Sequence, residues 1–177
     1  PYTYLWSNGS TLDSAVGMNF GSKKVVVTDA KGCKDSATIT ITQPDSLFFN
    51  SVSTLTKCFG DSTGKIKLTG VGGVTPYTYS RDAGAFSSSD SCVNIPANNY
   101  AISIKDANNC VFTKTVIVAQ PSKLSATYLV DSVSCFNGSN GKITITGSGG
   151  TPNYRFSLNN ATAVSSNIFS GLTANTY

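Results

Sequence analysis

The chain has 177 residues, of which only 12% are charged; 13 Lys and Arg stand against nine acidic groups, giving a formal charge of +4. There is no His and no Glu, so Ser–His–Asp, Cys–His and HExxH arrangements are excluded, along with the commonest general base and metal ligand. The cations are scattered singly or in pairs such as Lys23-Lys24, which leaves nucleic acid and membrane surfaces without a basic cluster to grip.

Thr, Val, Ile and Tyr suit a pleated surface better than a helix, and they alternate with a period of two along the chain. Taken in order, residues 37–42 read as a half-buried strand, followed by 47–56, 65–70 and 77–81. A loop rich in Ser and Asp then leads to a short strand at 93–95. Residues 100–105 and 111–119 form a hairpin across Asp106-Ala107-Asn108-Asn109, with Asp accepting backbone N–H bonds and Asn tolerating positive φ. Residues 142–146 alternate as 65–70 do, and no segment reads as a helix. Residues 95–100 and 172–177 resemble the tyrosine corner of immunoglobulin-like sandwiches, with Tyr100 and Tyr177 as the corner residues. Lys23 occupies that position in the first copy, which leaves Phe20 to fill the space.

The same motifs recur at a spacing of 75 to 77 residues. Cys58-Phe59-Gly60 returns as Cys135-Phe136-Asn137, and Gly64-Lys65-Ile66 as Gly141-Lys142-Ile143. Pro1-Tyr2-Thr3-Tyr4 returns as Pro76-Tyr77-Thr78-Tyr79, and more loosely as Pro152-Asn153-Tyr154-Arg155-Phe156. Asp29-Ala30-Lys31-Gly32-Cys33 returns as Asp106-Ala107-Asn108-Asn109-Cys110, and Gln43-Pro44 as Gln120-Pro121. Such a period means tandem copies of one small domain. With Gln-Pro closing each unit, residues 45–121 are expected to be one complete β-sandwich repeat. Residues 1–44 would be the back part of the repeat before it, and 122–177 the front part of the next.

Together these motifs resemble the SprB-type repeat of Bacteroidetes surface proteins, which is named for a gliding-motility adhesin of flavobacteria. The resemblance covers essentially the whole chain. It implies tandem immunoglobulin-like or fibronectin-III-like sandwiches of about 77 residues arranged end to end. It also implies an extracellular location on the outer-membrane surface, export by the type IX secretion system, and partnership with the gliding machinery. The partners expected of this segment are neighbouring repeats; a surface polysaccharide or substratum ligand would bind elsewhere in the protein. No cofactor, nucleic acid or membrane insertion is expected. The shaft of a long adhesin filament is the leading function. A carbohydrate-binding or spacer module of another large secreted protein or enzyme is the alternative, and catalysis within this segment is not expected.

Gly60-Asp61-Ser62-Thr63-Gly64-Lys65 has three residues between its glycines rather than the four of a phosphate loop, and a strand follows it, so it reads as a turn. The sequence Asp106-Ala107-Asn108-Asn109 lacks the acidic density of a calcium loop. The i, i+2 pairs Tyr2/Tyr4, Tyr77/Tyr79 and Tyr154/Phe156 each share one strand face, and they read as core rather than a sugar platform. Tyr77, Tyr79, Tyr100 and Tyr177 are the core tyrosines expected. Trp6, opposite Arg81 and Leu158 in the other copies, is either local core or an exposed contact.

Cysteine and Asp-Ser pairs carry the remaining chemistry. Cys33 and Cys110 share one repeat position, Cys58 and Cys135 another, and Cys92 has no counterpart. Cysteines so placed, without His, point to disulfides rather than zinc. Cys58 and Cys110 would lie at opposite ends of a sandwich, too far apart to bridge. Two pairings stay open: a staple from the Cys58 type to the Cys110 type of the following repeat, which is favoured, or Cys33 with Cys58 and Cys110 with Cys135 if the chain folds back at residues 43–46. Cys92 is left free. Six of the nine Asp precede Ser although Ser is only 25 of 177 residues, and the turn preference of both residues explains part of that excess. The following residue is Ala, Ala, Leu, Thr or Val at five of them, which resembles the Bacteroidetes O-glycosylation signal. Ser14, Ser36, Ser46, Ser62 and Ser132 are the resulting candidates, with Ser91 a weaker sixth. Asn8, Asn137 and Asn160 begin N-linked sequons and rank far below them.

Overall fold

A computed structural model describes all 177 residues. It contains 12 strands and no helix. In chain order these are β1 (Thr3–Trp6), β2 (Gly21–Thr28), β3 (Lys34–Ile41), β4 (Phe48–Thr54), β5 (Gly64–Val71), β6 (Thr78–Arg81), β7 (Ser91–Ile95), β8 (Asn98–Lys105), β9 (Val111–Val118), β10 (Ser125–Asp131), β11 (Gly141–Ser148) and β12 (Ile168–Leu172). They form four antiparallel three-stranded sheets: β1-β2-β3, β4-β5-β7, β6-β8-β9 and β10-β11-β12. Pro1–Ser46 with Gly72–Val74 is one compact unit, and Leu47–Val71 with Thr75–Tyr177 is the other.

The middle two sheets make a sandwich. Strands one, two and four of residues 45–121 lie in one layer and strands three, five and six in the other. That division is the one immunoglobulin-like folds use for their A, B, E and C, F, G strands. Alternate residues of both layers point inward, so Phe49, Ile66 and Leu68 meet Ile102, Ile104 and Val118 in one buried cluster, together with Ile95, Val116, Tyr79 and Tyr100. Phe49 and Phe112 contact edge to face across it, with ring centroids 5.8 Å apart. The expected strands agree with the observed ones to within a few residues.

The flanking sheets repeat the two layers separately. β2 pairs with β3 from Gly21↔Ile41, as β8 pairs with β9 from Asn98↔Val118. β11 pairs with β12 through Gly141↔Leu172, as β5 pairs with β7 through Gly64↔Ile95, and both ladders carry a bulge just after that glycine. Within the first unit, β1-β2-β3 has no second layer, so Ile39 is 50% exposed whereas its counterpart Val116 is 6% exposed. Ile143 and Ile145 on β11 are likewise only half-buried, whereas Ile66 and Leu68 are fully buried. The alternation of residues 37–42 thus forms the expected strand without the expected half-burial, because nothing covers its inner face.

Both tyrosine corners form. Tyr100 Oη donates to the Pro96 carbonyl at 2.8 Å, and Tyr177 Oη donates to the Thr173 carbonyl at 3.1 Å. Tyr100 and Tyr79 are buried and Tyr77 packs half-buried on the core, as expected. Tyr177 is not core: it is 40% exposed, because no strand equivalent to β9 lies over it. Phe20 does not replace the missing tyrosine beside Lys23 either; it is 61% exposed, with no opposing sheet to receive it.

Burial pushes the Tyr100 phenol above its ordinary value, with the nearby Arg81 guanidinium opposing the shift. A raised folded-state value stabilises the fold in full below the ordinary tyrosine range and less as pH rises through the shifted one. Replacing Tyr100 with Phe removes one hydrogen bond, and we expect a cost of about 1 kcal/mol at neutral pH. That advantage of the wild type should shrink in thermal melts as pH rises above about 10; a difference that grew with pH would contradict it.

Candidate functional site

The side chains singled out by sequence fall at three places: the hairpin tips, the loop after the first strand of each repeat, and the exposed Asp-Ser steps. At the tips, Asp29 Oδ1 accepts the N–H groups of Lys31 and Cys33, each at 2.8 Å, and Asp106 Oδ1 accepts that of Cys110 at 2.8 Å. The backbones close the same turns, Asp29 with Cys33 and Asp106 with Cys110. Gly32 and Asn109 take the positive φ (87° and 64°) that the tight turn demands. The carboxylates therefore organise backbone, and Cys33 and Cys110 are carried outward on rigid tips, both exposed.

At the other end of the repeat, Thr56 is fully buried: its N–H donates to the Ala119 carbonyl and its Oγ1 to the Cys58 carbonyl. Gly60 N–H donates to the side chain of Gln120 at 2.8 Å. The loop carrying Cys58 is thereby tied to the far end of β9 from Cys110, so those two thiols are separated by the length of an eight-residue strand. At about 3.4 Å per residue that length greatly exceeds the 7 Å or so a disulfide can span. Cys58 and Cys135 are exposed, Cys92 is half-buried against the core, and all five thiols are unbonded.

A turn at residues 58–61 passes straight into β5, leaving no helix N-terminus for a phosphate. His, Cys, Asp and Glu side chains nowhere gather in groups of three or more. A cavity of about 670 Å³ lies over Ile143, Ile145, Leu172 and Tyr177. It is the uncovered inner face of β10-β11-β12, where β8 and β9 stand in the complete repeat, so it is an open core rather than a ligand pocket.

Of the aromatic pairs, Tyr77 lies over Gly70 so closely that a Cβ there would come within 2.5 Å of the ring, and Tyr154 bears on Gly147 at 2.9 Å in the same way. Tyr154 and Phe156 meet edge to face at 6.5 Å. Tyr2 is 69% exposed on a sheet with no cover, and Trp6 is half-buried with its indole N–H donating to the Leu12 carbonyl at 3.0 Å. Ser14, Ser36, Ser46, Ser62, Ser91 and Ser132 are all exposed.

Sequence reasoning missed the role of Gln120. The clue was there, since Gln43-Pro44 and Gln120-Pro121 recur, but only the fold shows the amide reaching back 60 residues to Gly60.

Fold and junction together define a tandem all-β repeat protein. Residues 51–86 and 127–163 match the family model of the SprB repeat. Both segments are similar to the SprB repeat, a structural repeat found in cell-surface proteins. No curated protein matches the chain.

The hairpin tip gives a direct test. Asp106 is 4% exposed, and Asp106→Ala leaves the Cys110 N–H without its acceptor; the expected loss is about 1–3 kcal/mol in denaturant unfolding. Asp29→Ala, at a half-exposed site on a sheet without cover, should cost clearly less. Equal costs would contradict the burial argument.

Proposed function

We propose that this segment belongs to the shaft of a long, repetitive cell-surface adhesin filament that serves gliding motility and surface attachment, exported by type IX secretion and held at the outer membrane. In this reading residues 45–121 are one complete repeat, and 1–44 and 122–177 are parts of its neighbours. The observation that carries the reading is the junction. Gln120 is bonded back to Gly60, and the Ser122 carbonyl accepts the Gly150 N–H at 2.7 Å, so only Pro121 separates two clamped ends. Proline has no N–H and restricts its predecessor to extended backbone, which suits a shaft better than a flexible tether. Binding to a polysaccharide or substratum would be the work of other parts of the protein.

Surface display is checked by shaving intact cells with protease and identifying peptides of residues 45–121. Their release from intact cells, and loss of spreading and attachment in a deletion strain, are expected. Release only after lysis would sink the reading, and a catalytic domain next to the repeats would favour the spacer alternative.

The shaft reading extends to its covalent chemistry. Cys58 and Cys135 share the loop before the second strand of a repeat and Cys33 and Cys110 share the hairpin tip, and in this reading stapling between neighbours pairs the two kinds and leaves Cys92 free. Ser14, Ser36, Ser46, Ser62 and Ser132, with Ser91 as a weaker site, carry O-linked glycans that keep sparsely charged sheets from meeting edge to edge. Peptide mapping of the native protein should return Cys58-type peptides bonded to Cys110-type peptides of the next repeat, and glycan mass on the Asp-Ser peptides. A Cys58–Cys110 bond within one repeat, or bare peptide masses, would refute the respective assignment.

A further inference from the structure

The loop that follows the first strand of each repeat has an exposed phenylalanine at its tip, Phe59 in one copy and Phe136 in the other, 77 residues apart. A single exposed ring is ordinary on a protein surface, so the information lies in where these two rings stand and what borders them. The two differ in environment: Phe59 is 52% exposed and Phe136 is 95% exposed. Phe59 borders a cavity that it shares with residues of the 122–177 segment. Lys57, Cys58 and Phe59 form one wall of a cavity of about 410 Å³ whose other wall is Leu124, Gly147 and Tyr154.

The receiving wall is built for this. Tyr154 lies flat on Gly147, where a Cβ would clash at 2.9 Å, and its hydroxyl donates to the Gly149 carbonyl at 2.6 Å. Gly150, with φ at +59°, turns the chain beneath Leu124, which is 61% exposed. An apolar floor thus faces the preceding repeat. On the donor side, the Gln120 amide holds Gly60 and so fixes where the ring projects.

We propose that the Cys-Phe loop is the coupling knob between successive repeats. Phe59 seats on the Leu124–Tyr154 face of the next repeat, and Phe136 presents the same knob to a further copy of this repeat. The occupant follows from continuity with the Phe59 junction, which has the same loop at the same register. This inference rests on the tandem-repeat reading and deepens it. The knob limits bending about Pro121, because tilting the next repeat away uncovers the part of the ring and of Leu124 that the joint shields from water.

Hydrogen exchange on the full 177-residue chain tests the proposal. Phe59→Ser should speed exchange of the Gly150 amide and its neighbours several-fold, with β8 and β9 unchanged as the folding control. Phe136→Ser should leave exchange unchanged throughout. If Phe59→Ser also loosens β8 and β9, Leu124→Ser reads the coupling from the other side and should speed exchange at Gly60. Unchanged exchange at Gly150 in Phe59→Ser with the fold intact, or no change at Gly60 in Leu124→Ser, would overturn the proposal. So would a matching acceleration by Phe136→Ser within residues 122–177, which would make the ring part of its own repeat. None of these outcomes depends on surface display, so a failed joint leaves the adhesin reading to its own test.

Discussion

A three-stranded sheet with one apolar face is marginal by itself in water, and the whole molecule turns on whether that face is covered. In residues 45–121 two such sheets close on each other, and Ile66, Leu68, Ile102, Ile104 and Val118 lose almost all contact with solvent. Each full burial of such a side chain contributes about 1.5–3 kcal/mol, which is the source of the repeat's stability. The same residue types at the same register, Ile143 and Ile145 for Ile66 and Leu68, stay half-exposed where no second sheet stands opposite. Strand formation is thus local, and core formation depends on having both layers.

With the core provided by closure, the ends of the sandwich are free to specialise. One end has the hairpin whose turn Asp106 holds from within; the other has the loop that Thr56 and Gln120 anchor to the last strand. Both devices use a side chain to satisfy backbone N–H groups that a turn would otherwise leave without partners. Both ends of the sandwich are therefore held by their own side chains, and Pro121 stands between two bonded flanks.

Much of this was legible beforehand. The period-two alternation placed the strands, the recurrence at 75 to 77 residues agrees with the spacing of the two matched SprB segments, and the Asp and Asn of the hairpin placed its turn and its positive φ. Tyr100 was readable as a corner because its motif is contiguous in sequence. Tyr177 and Phe20 were misjudged, since their burial depends on strands that would have to come from elsewhere. The contrast between Phe59 and Phe136 could not be read from the Cys-Phe pair that the two copies share.

By itself, then, the sequence determined what is local or periodic: strand positions, turn chemistry, the recurrence at 75 to 77 residues, and the lack of His and Glu. Those properties depend on residues a few positions apart or on exact recurrence, and both survive in one dimension. Only the tertiary structure decided which faces are covered, that the Gln120 amide reaches Gly60, and that Phe59 borders a cavity with Leu124 and Tyr154 while Phe136 stands open. Each of these depends on surfaces brought together across tens of residues, and burial is a property of that meeting, not of the residue that undergoes it.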